Sequence, residues 1–347
     1  MTKNPPLMSE TPAPAALNTA EVTAQHPSKA SYPPISSIPS ISPERLAQSA
    51  ADTLKDLKPP SETVLYLAYG SNLCAQTFLG ARRIRPLSRV NVWAPSLRLT
   101  FDLPALPYRE PCFANVGHRD PPDESNGLDF SNIPPFEFQE PEREWKNGLV
   151  GVVYEVTQKD YSTILRTEGA GSSYKEIVVP CLPLPPDDEQ GGNPAPSISK
   201  PFLARTLYAP RTPCDPDESS WWCKLTSGRH RPEGQPSARY LKLLADGARE
   251  HSLPNAYQQY LRSLQPYVAT TLRQKIGGIL FIVFWAPPML VAMGIMRLLV
   301  NKRGKAPSWL ANLLTVTFNL MWIQYDHFFK PLFGDGERTE VKKDKWR

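Results

Sequence analysis

The sequence predicts an α+β domain, a small mixed β-barrel or curled sheet with peripheral helices, followed by C-terminal hydrophobic helices. Three observations carry that prediction. Strand-like runs rich in β-branched and aromatic residues recur between residues 63 and 208, with short helical patterns between them. Two amphipathic helical stretches, opening at Ser237 and Asn255, close this part of the chain. Beyond them, residues 276–296 contain no charged side chain.

Residues 1–60 hold eleven of the 39 prolines and one aromatic, Tyr32. Such a stretch buries too little apolar surface to offset the entropy of ordering, so it reads as a disordered Pro/Ser/Ala-rich tail. Within it, Ser42 is placed to cap a short helix near 43–57, with Leu46, Ala50, Leu54 and Leu57 at helical spacing. Order is expected from Glu62, and a catalytic domain over 61–270. Residues 63–69 make one buried strand that ends at Gly70-Ser71-Asn72, where Asn72 or Ser71 caps a helix reaching about Leu79 before Gly80 stops it. Further strands are expected at 89–102, 112–117 and 148–157. Thr157 then caps a short helix whose apolar face is Tyr161, Ile164 and Leu165 and which ends near Glu168-Gly169. Strands at 174–184 and 202–208 follow. In the closing pair, Tyr240, Leu241, Leu244 and Ala248 share one helix face, and Tyr257, Tyr260, Leu261 and Leu264 the next. Two segments read as disordered surface insertions: 121–145, with seven acidic residues against Arg143 alone, and 185–200, rich in Pro, Gly, Ser and Asp.

Composition excludes several function classes. The net charge of +5 comes without any Lys/Arg block in the folded region, which makes nucleic acid a poor partner. Five cysteines with no CxxC spacing fit a reducing compartment rather than a disulfide framework. Five scattered histidines supply no metal-ligand spacing, so no metal or cofactor is expected. Cys112 lies in an apolar strand with His118 off its face, the pattern of a buried inert thiol rather than a nucleophile.

The apolar stretch 276–300, with Arg297 tolerated, would span ~36 Å as a helix, enough to cross a hydrocarbon core. A transmembrane helix in contact with membrane lipid is expected there, then a second hydrophobic or interfacial helix over 309–326 and a polar tail over 334–347. Pro287-Pro288 should bend or break the first helix, so a kinked span and a re-entrant hairpin both fit. Basic residues lie between the runs (Lys302, Arg303, Lys305) and outside them (Arg273, Lys275, Lys342), so the positive-inside rule selects neither topology.

Glycine at position 70 lets the backbone approach a ligand closely, and the helix start after it presents unpaired N–H groups. By itself such a turn is more often a plain connection, and Glu168 by itself a solvated helix-end carboxylate. Three groups of motifs in order alter that balance. They are Tyr66-Leu67-Ala68-Tyr69-Gly70-Ser71-Asn72-Leu73; then Gly151-Val152-Val153-Tyr154 with Thr167-Glu168-Gly169 and Ser172-Ser173-Tyr174; then Pro236-Ser237-Ala238-Arg239-Tyr240, Gly247-Ala248-Arg249-Glu250 and Leu253-Pro254-Asn255-Ala256-Tyr257. Over about residues 62–264 the chain resembles the AIG2-like γ-glutamylcyclotransferase family, with its YGSN loop, its carboxylate after a GVVY-like strand, and its PSxxY, GAxE and LPxxY signature.

The resemblance implies a γ-glutamylcyclotransferase-like fold and a small-molecule γ-glutamyl substrate. The reaction would be intramolecular aminolysis to 5-oxoproline, with Glu168 as the acid–base residue. It implies that Tyr66, Leu67, Ala68, Tyr69, Gly70, Ser71 and Asn72 bind substrate, the amides of residues 70–72 gripping its carboxylate and carbonyl oxygens, and that Tyr240 supplies a phenol. Tyr174 and Tyr208 are lesser candidates, because Leu207 stands where the family often has a tyrosine. The chain looks like a fungal-type member with a C-terminal membrane segment and a catalytic domain facing the cytosol. A homodimer, which some relatives form, is compatible with it. The alternative reading is a catalytically silent binding domain on a membrane anchor, against which the presence of Glu168 counts.

Overall fold

The computed structural model describes residues 32–50, 62–119, 145, 147–168, 174–185, 200–209, 225, 231, 234–299 and 307–340. The two expected insertions, apart from their flanks, lie outside the described residues, as do 1–31 and 341–347. Among the described residues seven strands form: β1 (Thr63–Ala68), β2 (Ser88–Ala94), β3 (Leu97–Leu106), β4 (Glu110–His118), β5 (Leu149–Thr157), β6 (Lys175–Pro183) and β7 (Phe202–Tyr208). Five of them close a barrel in the order β1-β5-β2-β6-β7, and β3 with β4 makes a separate hairpin.

The barrel is antiparallel except at its seam. β1 runs against β5 from Thr63↔Thr157 to Ala68↔Val152, and β5 against β2 from Ser88↔Glu155 to Ala94↔Leu149. β7 returns to β1 in parallel at Tyr66↔Arg205. β5 is enclosed on both faces from Leu149 to Tyr154, which is why it reads as an unbroken apolar run rather than an alternating one. The expected strand over 89–102 is two strands, because Pro95-Ser96 turns the chain and sends β3 into the hairpin.

Helix α1 (Pro43–Ala47) is capped by Ser42, whose hydroxyl accepts from the Arg45 N–H at 3.2 Å. The tail expected to be disordered through residue 60 is therefore ordered over its described part: Ile35, Ile38 and Ile41 are buried in the core, and Arg45 binds Glu155 of β5 at 2.9 Å. Three isoleucines spaced by three supply the apolar surface that the proline count conceals.

After β1 the chain makes a 3-10 turn, Ser71–Leu73, and a π-helical turn, Gln76–Ala81, in place of the regular helix expected to Leu79. Helix α2 (Gln158–Thr167) begins at Thr157, whose hydroxyl accepts from the Asp160 N–H, and ends at Glu168. Helix α3 (Ala238–Glu250) buries Tyr240, Leu241, Leu244, Gly247 and Ala248. It packs directly on the 3-10 turn, since a Cβ at Gly247 would lie 2.6 Å from Leu73. Helix α4 (Asn255–Ser263) packs beside α3 through Tyr257 and Leu261.

Helix α5 (Leu272–Leu299) runs on through Pro287-Pro288, so the expected break does not occur. Helix α6 (Ser308–Gln324) continues through a π-helical turn into α7 (Lys330–Phe333). Phe281, Trp285, Met321, Trp322, Tyr325 and Phe329 form a second apolar cluster around Tyr108 at the tip of the β3–β4 hairpin. The residues after α7 are not a free polar tail up to Glu340. Tyr108 donates its N–H to the Gly336 carbonyl (2.8 Å), Gln274 donates to the Asp335 carbonyl (2.8 Å), and the Thr339 N–H reaches Gln235 (2.6 Å). Arg231 pairs with both Asp326 and Glu337 and lies 4.4 Å from the Trp322 ring centre. Hydrogen-bonding side chains, rather than apolar ones, attach this strap.

Candidate active site

The end of β1, the turn after it, the end of α2 and the start of α3 meet around one hollow. It encloses about 310 Å³ with its open mouth included, and Tyr66, Tyr69, Gly70, Ser71, Asn72 and Glu168 form much of its wall. Ala114, Tyr174, Leu207 and Tyr240 also line it. Glu168 is the sole acidic or basic residue among these.

Each part is held by its own element. Glu168 is the residue at which α2 stops, its N–H bonded to the Ile164 carbonyl at 3.0 Å, so the length fixed by the Thr157 cap sets where the carboxylate stands. Asn72 is 3% exposed and donates from Nδ2 to the Tyr66 hydroxyl at 2.8 Å and to Glu168 Oε1 at 3.0 Å. That joins the glycine turn to the carboxylate. Arg82 approaches Oε1 from the other side at 2.6 Å. The guanidinium offsets the cost of partly burying the carboxylate.

Tyr240 is fixed by the α3 cap: Ser237 Oγ accepts the Tyr240 N–H at 3.0 Å and donates to Glu110 at 2.7 Å. The Tyr240 hydroxyl oxygen accepts the Ala114 N–H at 3.2 Å. Burial, with the Glu168 charge adding to it, holds the phenol above its ordinary range, so it keeps its proton. With its oxygen accepting from the Ala114 amide, that proton is the group it can offer to the hollow. A Cβ at Gly70 would lie 3.2 Å from this oxygen, which explains glycine there.

The expected residues divide. Tyr66, Tyr69, Gly70, Ser71, Asn72, Glu168 and Tyr240 share the hollow. Leu67 and Ala68 do not: they are neighbours on β1 and face opposite sides of it, yet both are fully buried in the core, and the Leu67 carbonyl accepts from Thr206. Tyr66 and Tyr69 are buried phenols, pushed up by desolvation, and Tyr69 donates to the Leu207 carbonyl at 2.7 Å. Tyr174 reaches the hollow, whereas Tyr208 lies against His118. Cys112 is a buried thiol and lies outside the wall. Arg82 escaped the sequence reading, because its partner is 86 positions away and no local pattern records it.

A small barrel whose open end carries one carboxylate, a glycine turn and retained phenol protons has the make-up of an enzyme that moves protons on a small polar substrate. Comparison with known proteins is specific on this point. The chain is 32% identical over 286 residues to the gamma-glutamyl cyclotransferase gliK of Aspergillus fumigatus, covering 82% of this chain and 93% of that protein. It is 31% identical to the gamma-glutamyl cyclotransferase aclK of Aspergillus oryzae, with 79% and 90% covered. The AIG2-like family model matches residues 214–261, and the model described as AclK C-terminal domain matches 271–332. A solved gamma-glutamyl cyclotransferase covers 60% of this chain and 92% of its own at 18% identity, with a TM-score of 0.38. The chain belongs to the gamma-glutamyl cyclotransferase family.

Proposed function

We propose that the protein converts γ-glutamyl peptides or amines to 5-oxoproline and the free amino acid or amine, with Glu168 as general acid and base. The observation that carries this reading is the contact between Glu168 Oε1 and Asn72 of the glycine turn, inside a hollow with no other ionisable carboxylate among its described lining. Glu168 takes a proton from the substrate α-ammonium, and the freed amine attacks the γ-carbonyl of the same molecule. A C–N bond forms and closes the five-membered ring. The O–H of Tyr240 stabilises the charge that develops on the carbonyl oxygen. The ring nitrogen gives up its second proton to solvent, the proton held by Glu168 passes to the leaving nitrogen, and collapse breaks that C–N bond to give 5-oxoproline and the free amine. Nucleophile and electrophile share one chain, so holding them in attack geometry supplies much of the acceleration.

The full-length protein is tested with γ-Glu-Ala, γ-Glu-Cys, intact glutathione and γ-glutamyl-lysine. The expected product is 5-oxoproline in equal amount with the released amine. Glutamate in its place would mean hydrolysis and end this reading.

We also read α5 as a membrane-attaching element, with the catalytic domain on the cytosolic side. Support comes from its Leu272–Ile295 stretch, long and apolar enough to cross a membrane, and from its exposed Leu272, Val283 and Leu290. The bond from Gln274 to Asp335 joins the start of α5 to the chain leaving α7, which favours a hairpin with both ends on the catalytic side over a single span. Flotation of the full chain with liposomes tests attachment, and protease access to a C-terminal tag tests the hairpin. A tag protected inside the vesicle while the catalytic domain is digested outside would contradict it.

A further inference from the structure

We propose that Arg82 is a positioning residue that decides which oxygen of Glu168 carries the proton; this rests on the acid–base reading of Glu168. Arg82 does not line the hollow. It stands behind the carboxylate at the end of the π-helical turn, with its side chain 13% exposed and its amide bonded to the Thr77 carbonyl. One arm of its guanidinium meets Glu168 Oε1 at 2.6 Å, and the other donates to the Thr167 hydroxyl at 2.6 Å. That hydroxyl in turn donates to the Thr163 and Ile164 carbonyls of α2. The planar fork therefore ties the carboxylate plane to the last turn of the helix that delivers it.

The second donor to Oε1 is Asn72, ten positions earlier in the 3-10 turn. An amide NH₂ and a guanidinium can donate but not accept. A proton on Oε1 would face two donors with no acceptor, so Oε2 takes it. No described residue bonds to Oε2. The segment from Asn72 to Arg82 thus holds one oxygen fast and leaves the other for substrate, which keeps the proton-carrying atom at one point through uptake from the α-ammonium and return to the leaving nitrogen.

The test uses full-length protein, γ-Glu-Ala as substrate and 5-oxoproline release as readout, with Glu168→Gln measured alongside. Arg82→Gln is expected to lower kcat about 100-fold and to leave KM within about threefold, because misplacing a catalytic group by an ångström costs about that much. Arg82→Lys, which keeps the charge without the fork, is expected to recover about 10-fold of the loss. Thr167→Val frees the fork from the helix end without touching Glu168 and is expected to lower kcat several-fold at unchanged KM. If Arg82→Gln does not fold, the Lys and Val variants decide. A kcat within about threefold of wild type in Arg82→Gln, or in both remaining variants where it does not fold, overturns the proposal, as does a loss that appears in KM alone. Full turnover by Glu168→Gln would instead remove the reading beneath it, and is told apart because the defect is then missing at the carboxylate itself.

Discussion

The barrel and the C-terminal helical pair are both strongly apolar in sequence, and they dispose of that character in opposite ways. On β1 and β5, Leu67, Ala68, Val152, Val153 and Tyr154 expose none of their surface. On α5, Ile279, Val283, Leu290 and Leu298 expose 63, 67, 68 and 84% of theirs. Hydropathy states that a residue should leave water, and it does not state what replaces the water. The barrel closes on itself and supplies its own apolar medium. α5 buries Phe281 against Tyr108, Tyr325 and Phe329 and bonds Trp285 to Gln324, while much of its other apolar surface stays exposed. The lesson extends to charge: Glu168 is paired within the domain with Arg82.

The largest expected effect separates chemistry from attachment. Glu168→Gln should lower turnover about 1,000-fold or more while liposome flotation is unchanged. Equal loss of both would mean that the two regions do not work independently. The converse change, Val283→Asp with Leu290→Asp, should reduce liposome binding at least about 100-fold, since a carboxylate at a helix centre costs about 3 kcal/mol in a bilayer. Turnover in detergent should stay within about twofold, and undiminished binding would show that α5 is not the attachment.

A smaller effect is expected from Gly70→Ala. Its new methyl would sit 3.2 Å from the Tyr240 oxygen and displace that hydroxyl, and kcat should fall about 10-fold. An unaltered kcat would remove Tyr240 from the mechanism.

The smallest concerns the barrel alone. His251, which bonds Tyr154 at 2.7 Å and faces Arg89, is held down to about 3 by burial and by that guanidinium. The unfolded chain takes up a proton that the folded one refuses, so stability is full above pH 6.5 and is lost progressively as pH falls toward 3. Glu250, held up by burial, acts in the opposite sense. The difference in melting midpoint between wild type and His251→Gln isolates the imidazole, and the gap should narrow between pH 6.5 and 4.5. A constant gap would mean that the imidazole is already protonated in the fold.

Much of the site was legible because its parts are local. The run from Tyr66 to Asn72 announces a strand entering a glycine turn, and Thr157 and Ser237 announce the helices that deliver Glu168 and Tyr240. What escaped depends on distant partners. Arg82 meets Glu168 only because α2 packs beside the turn, and the Asp335–Glu340 strap is held by hydrogen bonds to residues scattered from Tyr108 to Gln274. Ile35, Ile38 and Ile41 were outweighed by prolines that leave their packing intact. Leu67 and Ala68 fell inside a matching motif, although core packing on both sides of β1 encloses them completely.

A structure of the full chain with 5-oxoproline bound tests the central claim most directly. The account predicts the ring in the hollow beside Gly70, its carbonyl oxygen about 3 Å from the Tyr240 hydroxyl and its nitrogen within hydrogen-bond reach of Glu168 Oε2. Product bound elsewhere, or seated with its nitrogen turned away from Glu168, would contradict it.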